Sequence, residues 1–592
     1  MIQLLTRMLE YPKYLIVVYF LRFWLLSLVA IVAGAWRLRG LRATPNAPPE
    51  AGEQGDAAKA PQAYNSIDWA LSVLAVLIIS CFILLLSYKE DFSCFDCSQL
   101  TDYSVAGHRF GPPIWPKDGR FFPLGMQEFN LLRYVTRTPA GYQSIAATQV
   151  VILTGMLFAL LKDVRLAWRA LIAIAVIVTP SIMISFSGLI YPERNALFWL
   201  AILVLCLQRA TSSNSPIYFL GCFVTTHFLL YYKEPLVVFV AVYAVSRLAM
   251  DFYSKRSAGQ PRWEEFGREN IVPVGLMVVA GIYTVLFLVF MFPFHRPEFI
   301  TLSKSDPRNV PLLFLRMDWL MTLLLVVLLM RLVRWLFFGK GIEPMWESLG
   351  LGAFGYFIAI LAVGVYTSYY LAPVDLIAIL YVGRLAASWA YLPFRWRVAA
   401  VGAVSVCLLV HEASFSALRI IERKVEILQV SELAKFLKNY KADPGEQRIE
   451  LFFPFTDGFR LAGISSYLRY KGLRLAGQSN YSSVESPEFV IAGRGNYESG
   501  RCYPAMKYAC KHVDEPGKGG LLVVLPKDLF RKGDLEQAGR DAVPLLYLTS
   551  WPEDSSIGRV LRLMQSLSLE DRYIKPQPWW QLYVFRQART GN

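Results

Sequence analysis

Long apolar runs separated by short polar breaks fill the chain to about residue 415 and then stop. They fall at Leu15–Trp36, Ile67–Ser87, Ile145–Leu161, Leu166–Ile190, Ala196–Leu207, Ile217–Leu230, Leu236–Ala249, Ile271–Phe292, Leu312–Phe338, Leu349–Tyr369, Val374–Leu392 and Val398–Phe415. Most approach the roughly twenty residues a helix needs to cross the hydrocarbon core, and a helix satisfies its own backbone there. The pattern predicts about 11–12 transmembrane helices, with Ala196–Leu207 the shortest candidate. Beyond residue 420 the texture changes. Val430–Tyr440 and Ala462–Lys471 have helical spacing, whereas Ile449–Phe453, Phe489–Ala492, Leu521–Leu525, Leu545–Leu548 and Gln581–Phe585 read as strands. Strands interleaved with helices predict a C-terminal extramembrane α/β domain. The fold class expected is therefore an α-helical polytopic membrane protein with such a domain attached.

These patterns divide the chain into a membrane-associated segment at 1–42, a linker at 43–66, a transmembrane domain at 67–420 and the α/β domain at 421–592. The linker is rich in Ala, Pro, Gly, Glu and Gln, and buries too little apolar surface to fold alone.

A net charge of +15 over 592 residues would suggest a nucleic-acid partner in a soluble protein. Here the positive-inside rule accounts for most of it. If Arg37, Arg39 and Arg42 are cytoplasmic, alternation puts Lys162/Arg165, Arg209, Lys255/Arg256/Arg262/Arg268, Arg331/Arg334/Lys340 and Arg395/Arg397 on that side too. The long loop 88–142, the turns Tyr191–Arg194 and Tyr231–Glu234, the loop 293–311 and the α/β domain then face outward. Cys94/Cys97 and Cys502/Cys510 are close pairs in segments placed outside, where disulfides persist. A C-x-x-C also suits zinc or redox work. Only His108 stands near as a further ligand, so two structural disulfides are the expectation.

Candidate chemistry concentrates in the outward segments. The loop 88–142 opens on Glu90-Asp91, directly after an apolar helix, and carries Asp96, Asp102, His108, Asp118, Arg120, Gln127, Glu128 and Arg133 between apolar stretches. Sugar transfer to a hydroxyl needs a base for its proton and a cation for the departing phosphate. Asp91, whose backbone the helix end fixes, is the first choice for base, with Glu90 beside it. A solvated helix end explains the same pair equally well. Tyr191-Pro192-Glu193-Arg194 and Tyr231-Tyr232-Lys233-Glu234-Pro235 each set a cation and a carboxylate at a helix end. Lys233 or Arg194 would neutralise a phosphate, and Glu193 or Glu234 would hold sugar hydroxyls; polar helix caps are the plain alternative. Arg296 and Arg308 in the loop 293–311 are further phosphate candidates. Tyr370, Asp96 and His108 complete the candidate sugar and acceptor contacts. No ligand spacing demands a metal, although a divalent cation is compatible with the carboxylates.

Together these features resemble the GT-C superfamily of multi-spanning glycosyltransferases that use lipid-phosphate sugars. The resemblance covers roughly residues 67–415 and rests on Glu90-Asp91 at the head of a long first loop, on Tyr369-Tyr370-Leu371-Ala372-Pro373 at a later helix end, and on Asp118-Gly119-Arg120-Phe121-Phe122-Pro123-Leu124-Gly125 with Gln127-Glu128-Phe129-Asn130. It implies a bacterial inner-membrane enzyme with its site and α/β domain on the periplasmic face. It also implies inverting transfer from a polyprenyl-phosphate donor to a protein, lipid or glycan acceptor, with Asp91 as base. Among bacterial members the chain resembles those that transfer arabinofuranose to pilins or envelope glycans. The segment before residue 67 departs from the family plan. A transporter or flippase of a lipid-linked or charged solute, and a polysaccharide polymerase or ligase, are the competing readings.

Overall fold

Proline, glycine and the polar breaks set where the apolar runs end in three dimensions. The computed structural model describes residues 66–87, 91–92, 100–101, 109–115, 119–212, 215–257, 270–291, 319–338, 342–363, 368–388, 414–444, 446–453, 458–476, 487–493, 510–512, 520–524, 542–549, 559 and 581–587. The expected runs Leu15–Trp36 and, for the most part, Val398–Phe415 lie outside them.

The helices of the apolar region are α1 (Ser66–Ser87), α2 (Gln127–Leu132), α3 (Pro139–Leu160), α4 (Leu166–Val178), α5 (Pro180–Ser187), α6 (Pro192–Ser212), α7 (Pro216–Tyr232), α8 (Leu236–Ser257), α9 (Ile271–Phe290), α10 (Trp319–Phe338), α11 (Pro344–Val363) and α12 (Ala372–Ser388). Among the described residues seven helices are long and apolar enough to cross a membrane, or eight if α4 and α5 form one bent span. The protein is a multi-pass membrane protein. Val73, Val76, Leu77 and Leu84 of α1 and Val285, Leu288 and Val289 of α9 are exposed, as lipid-facing positions must be. Leu153, Leu157, Val176, Leu200, Val204, Leu276 and Leu324 fill the interior.

The expected single span Leu166–Ile190 is broken. Pro180 lacks an N–H and its ring opposes the preceding turn, so α4 and α5 meet at a 62° bend. Side chains occupy carbonyls at the break: Thr179 Oγ1 donates to Ala175 O at 2.7 Å and Ser416 Oγ to Val178 O at 2.6 Å.

Helix α13 (Ser414–Asn439) runs from the membrane part into the α/β domain. Its first half touches the bundle through Ser416 and through Lys424, which donates to Leu86 O at 2.9 Å. Its second half buries Val430, Leu433 and Leu437 in the core of the α/β domain. That domain holds β3 (Arg448–Phe453), α14 (Gly458–Tyr470), β4 (Glu488–Gly493), β5 (Cys510–His512), β6 (Leu521–Val524), β7 (Ala542–Thr549) and β8 (Gln581–Gln587), with sheet order β5-β4-β3-β6-β8-β7. The β3, β4, β5 and β6 pairings are parallel, while β8 runs antiparallel to β6 and β7. The β3 inner face (Ile449, Leu451, Phe453) and Leu461, Ile464 and Leu468 of α14 share one core with Phe92, Leu100, Phe110 and Phe129 of the first loop and Leu189 and Ile190 of the bundle. The α/β domain is thus seated on the loop that carries the candidate acids.

Candidate functional site

Three helix ends and one loop strand converge at one end of the bundle. Proline opens α6 at Pro192 and stands just before α8 at Pro235, where its fixed φ suits a helix start. Lys233, at φ −153° and ψ 117°, is extended and ends α7. These breaks leave Glu193 in the first turn of α6 and Lys233 just past α7, where the two side chains meet. A 3-10 turn, Ser368–Leu371, brings Tyr370 to the same place. The loop contributes a small hairpin, β1 (Ile114–Trp115) against β2 (Arg120–Phe121), with Gly119 at φ 64° making the turn. Backbone and side-chain bonds pin β2 and its flank to the helices: Tyr283 donates to Phe121 O at 2.8 Å, and Leu124 N to Tyr231 O at 3.1 Å.

The ammonium of Lys233 pairs with Glu193 Oε1 and sits 3.7 Å from the Tyr370 ring centroid. Both partners are buried, with side-chain exposures of 3% and 2%. One residue on, Glu234 Oε1 accepts from Arg120 Nε at 2.8 Å and from Phe121 N at 3.1 Å. Tyr356 donates to Tyr370 O at 2.9 Å, and Tyr191 stacks on Tyr369 with centroids 4.4 Å apart. Burial alone would favour neutral Lys233, but the Glu193 and Tyr370 oxygens outweigh it and raise the ammonium above the usual lysine range. Burial likewise opposes ionisation of Glu234, yet Arg120 and Lys233 prevail and lower it. The Arg120 guanidinium is held still more firmly protonated, because Glu234 and Tyr370 overcome its burial. Glu193 Oε2, also buried, has no hydrogen-bond partner among the described residues.

A second buried chain adjoins the same turn. Glu128 of α2 accepts from Asn195 Nδ2 at 2.5 Å and lies 3.5 Å from Arg194 Nη2, while Gln149 of α3 donates to Asn195 Oδ1 at 2.8 Å. Burial raises Glu128 above the usual glutamate range, despite the opposing pull of Arg194. Arg194, the other candidate phosphate cation, is 1% exposed and lies beside Glu128.

Asp91 is engaged from the other side. Its Oδ1 accepts from Phe92 N at 2.8 Å, and its Oδ2 accepts from Tyr467 Oη at 2.8 Å and pairs with Lys471 Nζ at 2.6 Å. Phe92 fixes the junction, lying edge-on to Tyr470 with centroids 5.4 Å apart. Glu90, Asp96, His108, Arg296, Arg308, Cys94, Cys97 and Cys502 lie outside the described residues, as does the side chain of Cys510, whose backbone belongs to β5. Among the described residues no group of three His, Cys, Asp or Glu side chains comes together as a metal site.

Of the residues expected from the sequence, Glu193, Lys233, Glu234 and Tyr370 stand together at these helix ends, and the sequence carries no local sign of their pairing. It gave no partner to Arg120 and Glu128, nor any role to Asn195, Gln149, Tyr467 or Lys471. The available signal was the stretch from Asp118 to Asn130, where charge recurs among large apolar residues that must be buried. The far end of the bundle carries separate pairs, Arg165 with Asp68 at 3.2 Å and Arg331 with Glu347 at 2.5 Å.

An enclosed ammonium and a partly exposed guanidinium, each on a carboxylate and close to Tyr370, gather positive charge whose counter-charges are internal. An arriving phosphate can take over one of those pairings, and the released carboxylate can then accept from hydroxyl groups.

No protein-family model matches this chain, and no curated protein sequence does. Among solved structures it is similar to ArnT from Cupriavidus metallidurans bound to undecaprenyl phosphate, with 12% identity, a TM-score of 0.41 and coverage of 88% of this chain and 98% of that one. It is similar also to ArnT from the same organism in the apo state, with 12% identity, a TM-score of 0.40 and coverage of 87% and 98%.

Proposed function

We propose that this protein is a GT-C-type glycosyltransferase that moves a sugar from a polyprenyl-phosphate donor to a protein, lipid or glycan acceptor at the periplasmic face of a bacterial inner membrane. The observation that carries the reading is the enclosed Lys233–Glu193 pair with the partly exposed Arg120–Glu234 pair beside it at the helix ends. Charges are costly there unless they serve a ligand, and two apolar side chains would hold the same helices together at less expense. A polyprenyl phosphate keeps its tail in lipid and its phosphate at this level. Lys233 and Arg120 then hold the phosphate, Arg296 and Arg308 stay as further candidates from the sequence alone, and Glu193 and Glu234 hold sugar hydroxyls beside Tyr370.

In the reaction the acceptor oxygen bonds to the anomeric carbon as the carbon–oxygen bond to phosphate breaks. The bonding pair leaves on the phosphate, and the acceptor proton passes to Asp91. Asp91 already takes three hydrogen-bonding or ionic contacts, which leaves about one of the roughly four acceptor sites of a carboxylate for a hydroxyl. Cationic stabilisation of the leaving phosphate supplies the larger part of the rate.

The test is transfer by purified protein from labelled polyprenyl-phosphate sugars. Donor-dependent product that disappears in Asp91→Asn, with donor binding retained, supports the reading. The break at Thr179-Pro180 favours a transporter as the second reading, and movement of solute without donor consumption would establish it instead.

A further inference from the structure

The segment between α2 and α3 is amphipathic in a way that the site does not use. Phe129 faces the α/β domain and is 1% exposed, whereas Leu131, Tyr134 and Val135 are 72%, 70% and 84% exposed. Three arginines surround them. Arg133 Nη2 donates to the Tyr134 hydroxyl at 3.1 Å and its guanidinium lies 5.0 Å from that ring's centroid. Arg137 Nε reaches Arg133 O at 3.4 Å, and Arg109 acts on the same phenol. Hydrogen bonding and charge from Arg133, then the charge of Arg109, hold the Tyr134 hydroxyl below the usual tyrosine range. Among the described residues neither Arg109 nor Arg137 has a carboxylate within ion-pair distance, in contrast to Arg120, Arg165, Arg194, Arg331 and Arg384.

We infer that Leu131, Tyr134 and Val135, with Arg109, Arg133 and Arg137, form a wedge that docks on the anionic phospholipid headgroups of the leaflet entered by α3. Three features fix the occupant. The patch is continuous with the bilayer, because α3 begins just past it at Pro139 and its own outward residues Val151 and Ile152 are exposed apolar positions. Its apolar part has the composition of an interfacial anchor, with tyrosine at the headgroup level and aliphatic side chains below. Among the described residues Arg109 and Arg137 have no carboxylate partner, and a phosphodiester supplies one for each. The α/β domain does not compete for this surface, since it seats on the opposite face of α2 through Phe129 and Phe110. Anchoring here ties the loop that carries Arg120 and Glu128 to the bilayer surface.

The experiment uses the full chain, Val135→p-benzoylphenylalanine, in liposomes of phosphatidylcholine with a minority of phosphatidylglycerol, irradiated and read by mass spectrometry. Lipid adducts are expected, with phosphatidylglycerol over-represented roughly fivefold relative to its bulk fraction. That enrichment should fall toward the bulk ratio at high salt. It should fall likewise in Arg109→Gln/Arg137→Gln, with total adduct yield unchanged. Absence of lipid adducts, adducts at the bulk ratio in the otherwise native chain, or enrichment insensitive to salt would overturn the inference. Displacement of phosphatidylglycerol by sub-stoichiometric undecaprenyl phosphate would also overturn it, by making the patch a donor site.

Discussion

Lys233 and Glu193 offer the sharpest separation of a ligand site from a structural staple. Each is almost fully enclosed, and each is the other's principal counter-charge. Replacing Lys233 by Met leaves a buried carboxylate unpaired, and Glu193→Gln leaves a buried ammonium unpaired. Each change should cost about 3–5 kcal/mol of stability. The double variant Lys233→Met/Glu193→Gln removes both charges and should recover most of that loss, giving a coupling of several kcal/mol in a double-mutant cycle. Activity should behave differently. If the ammonium stabilises a departing phosphate, every variant lacking it loses about 10²–10³-fold in turnover, and the double variant stays as slow as Lys233→Met. The assays are thermal unfolding in detergent and transfer from a labelled polyprenyl-phosphate sugar on the same preparations. Recovery of turnover along with stability in the double variant would refute the phosphate role and leave a helix staple. The raised Lys233 ammonium contributes stability that is complete below about pH 10.4 and is lost only as pH climbs through its higher folded value. Both measurements near pH 7 therefore sample the charged form.

Asp91→Asn should abolish transfer while donor binding survives; turnover near that of the unaltered protein would remove Asp91 from the base role. Lys471→Met and Tyr467→Phe, which loosen the carboxylate without removing it, should lower kcat by about tenfold with little change in KM, and unchanged kcat would show that the α/β domain does not orient the base. Glu128 is raised by burial, so the native state holds its proton more tightly than the unfolded chain does. Stability should then decline as pH rises from about 4.3 toward the folded value, and Glu128→Gln should cancel that decline; parallel melting curves for the two proteins across this range would contradict it. Gly188→Ala places a Cβ 2.0 Å from the Tyr191 ring, so it should displace the Tyr191–Tyr369 stack and destabilise the protein by about 1–3 kcal/mol, read as a lowered melting temperature.

Much of the architecture is legible without coordinates, because transfer of backbone into lipid leaves few options. Runs of apolar residues must become helices, and their polar breaks must become helix ends. That reasoning located α1, α3, α8 and α9 and put Glu193, Lys233, Glu234 and Tyr370 at helix ends. Period-two alternation likewise found β3, β4, β6, β7 and β8. It missed β5, whose Cys510-Lys511-His512 core is too short and polar to stand out and is held by pairing with Ile491–Gly493.

What the one-dimensional pattern could not decide is which helix end meets which. Glu193 and Lys233 are forty residues apart, and Arg120 and Glu234 are separated by 114, so neither pair has a local signature. Their meeting depends on helix packing, on the bend at Pro180 and on the hairpin that carries Arg120 over α7 and α8. The partners of Asp91 were equally hidden, since Tyr467 lies 376 residues downstream in a domain whose docking follows from Phe92, Phe110 and Phe129 joining its core. Local sequence fixes where a charge leaves the membrane, because solvation acts residue by residue. Tertiary packing alone decides which counter-charge it finds, because that depends on the relative placement of whole helices.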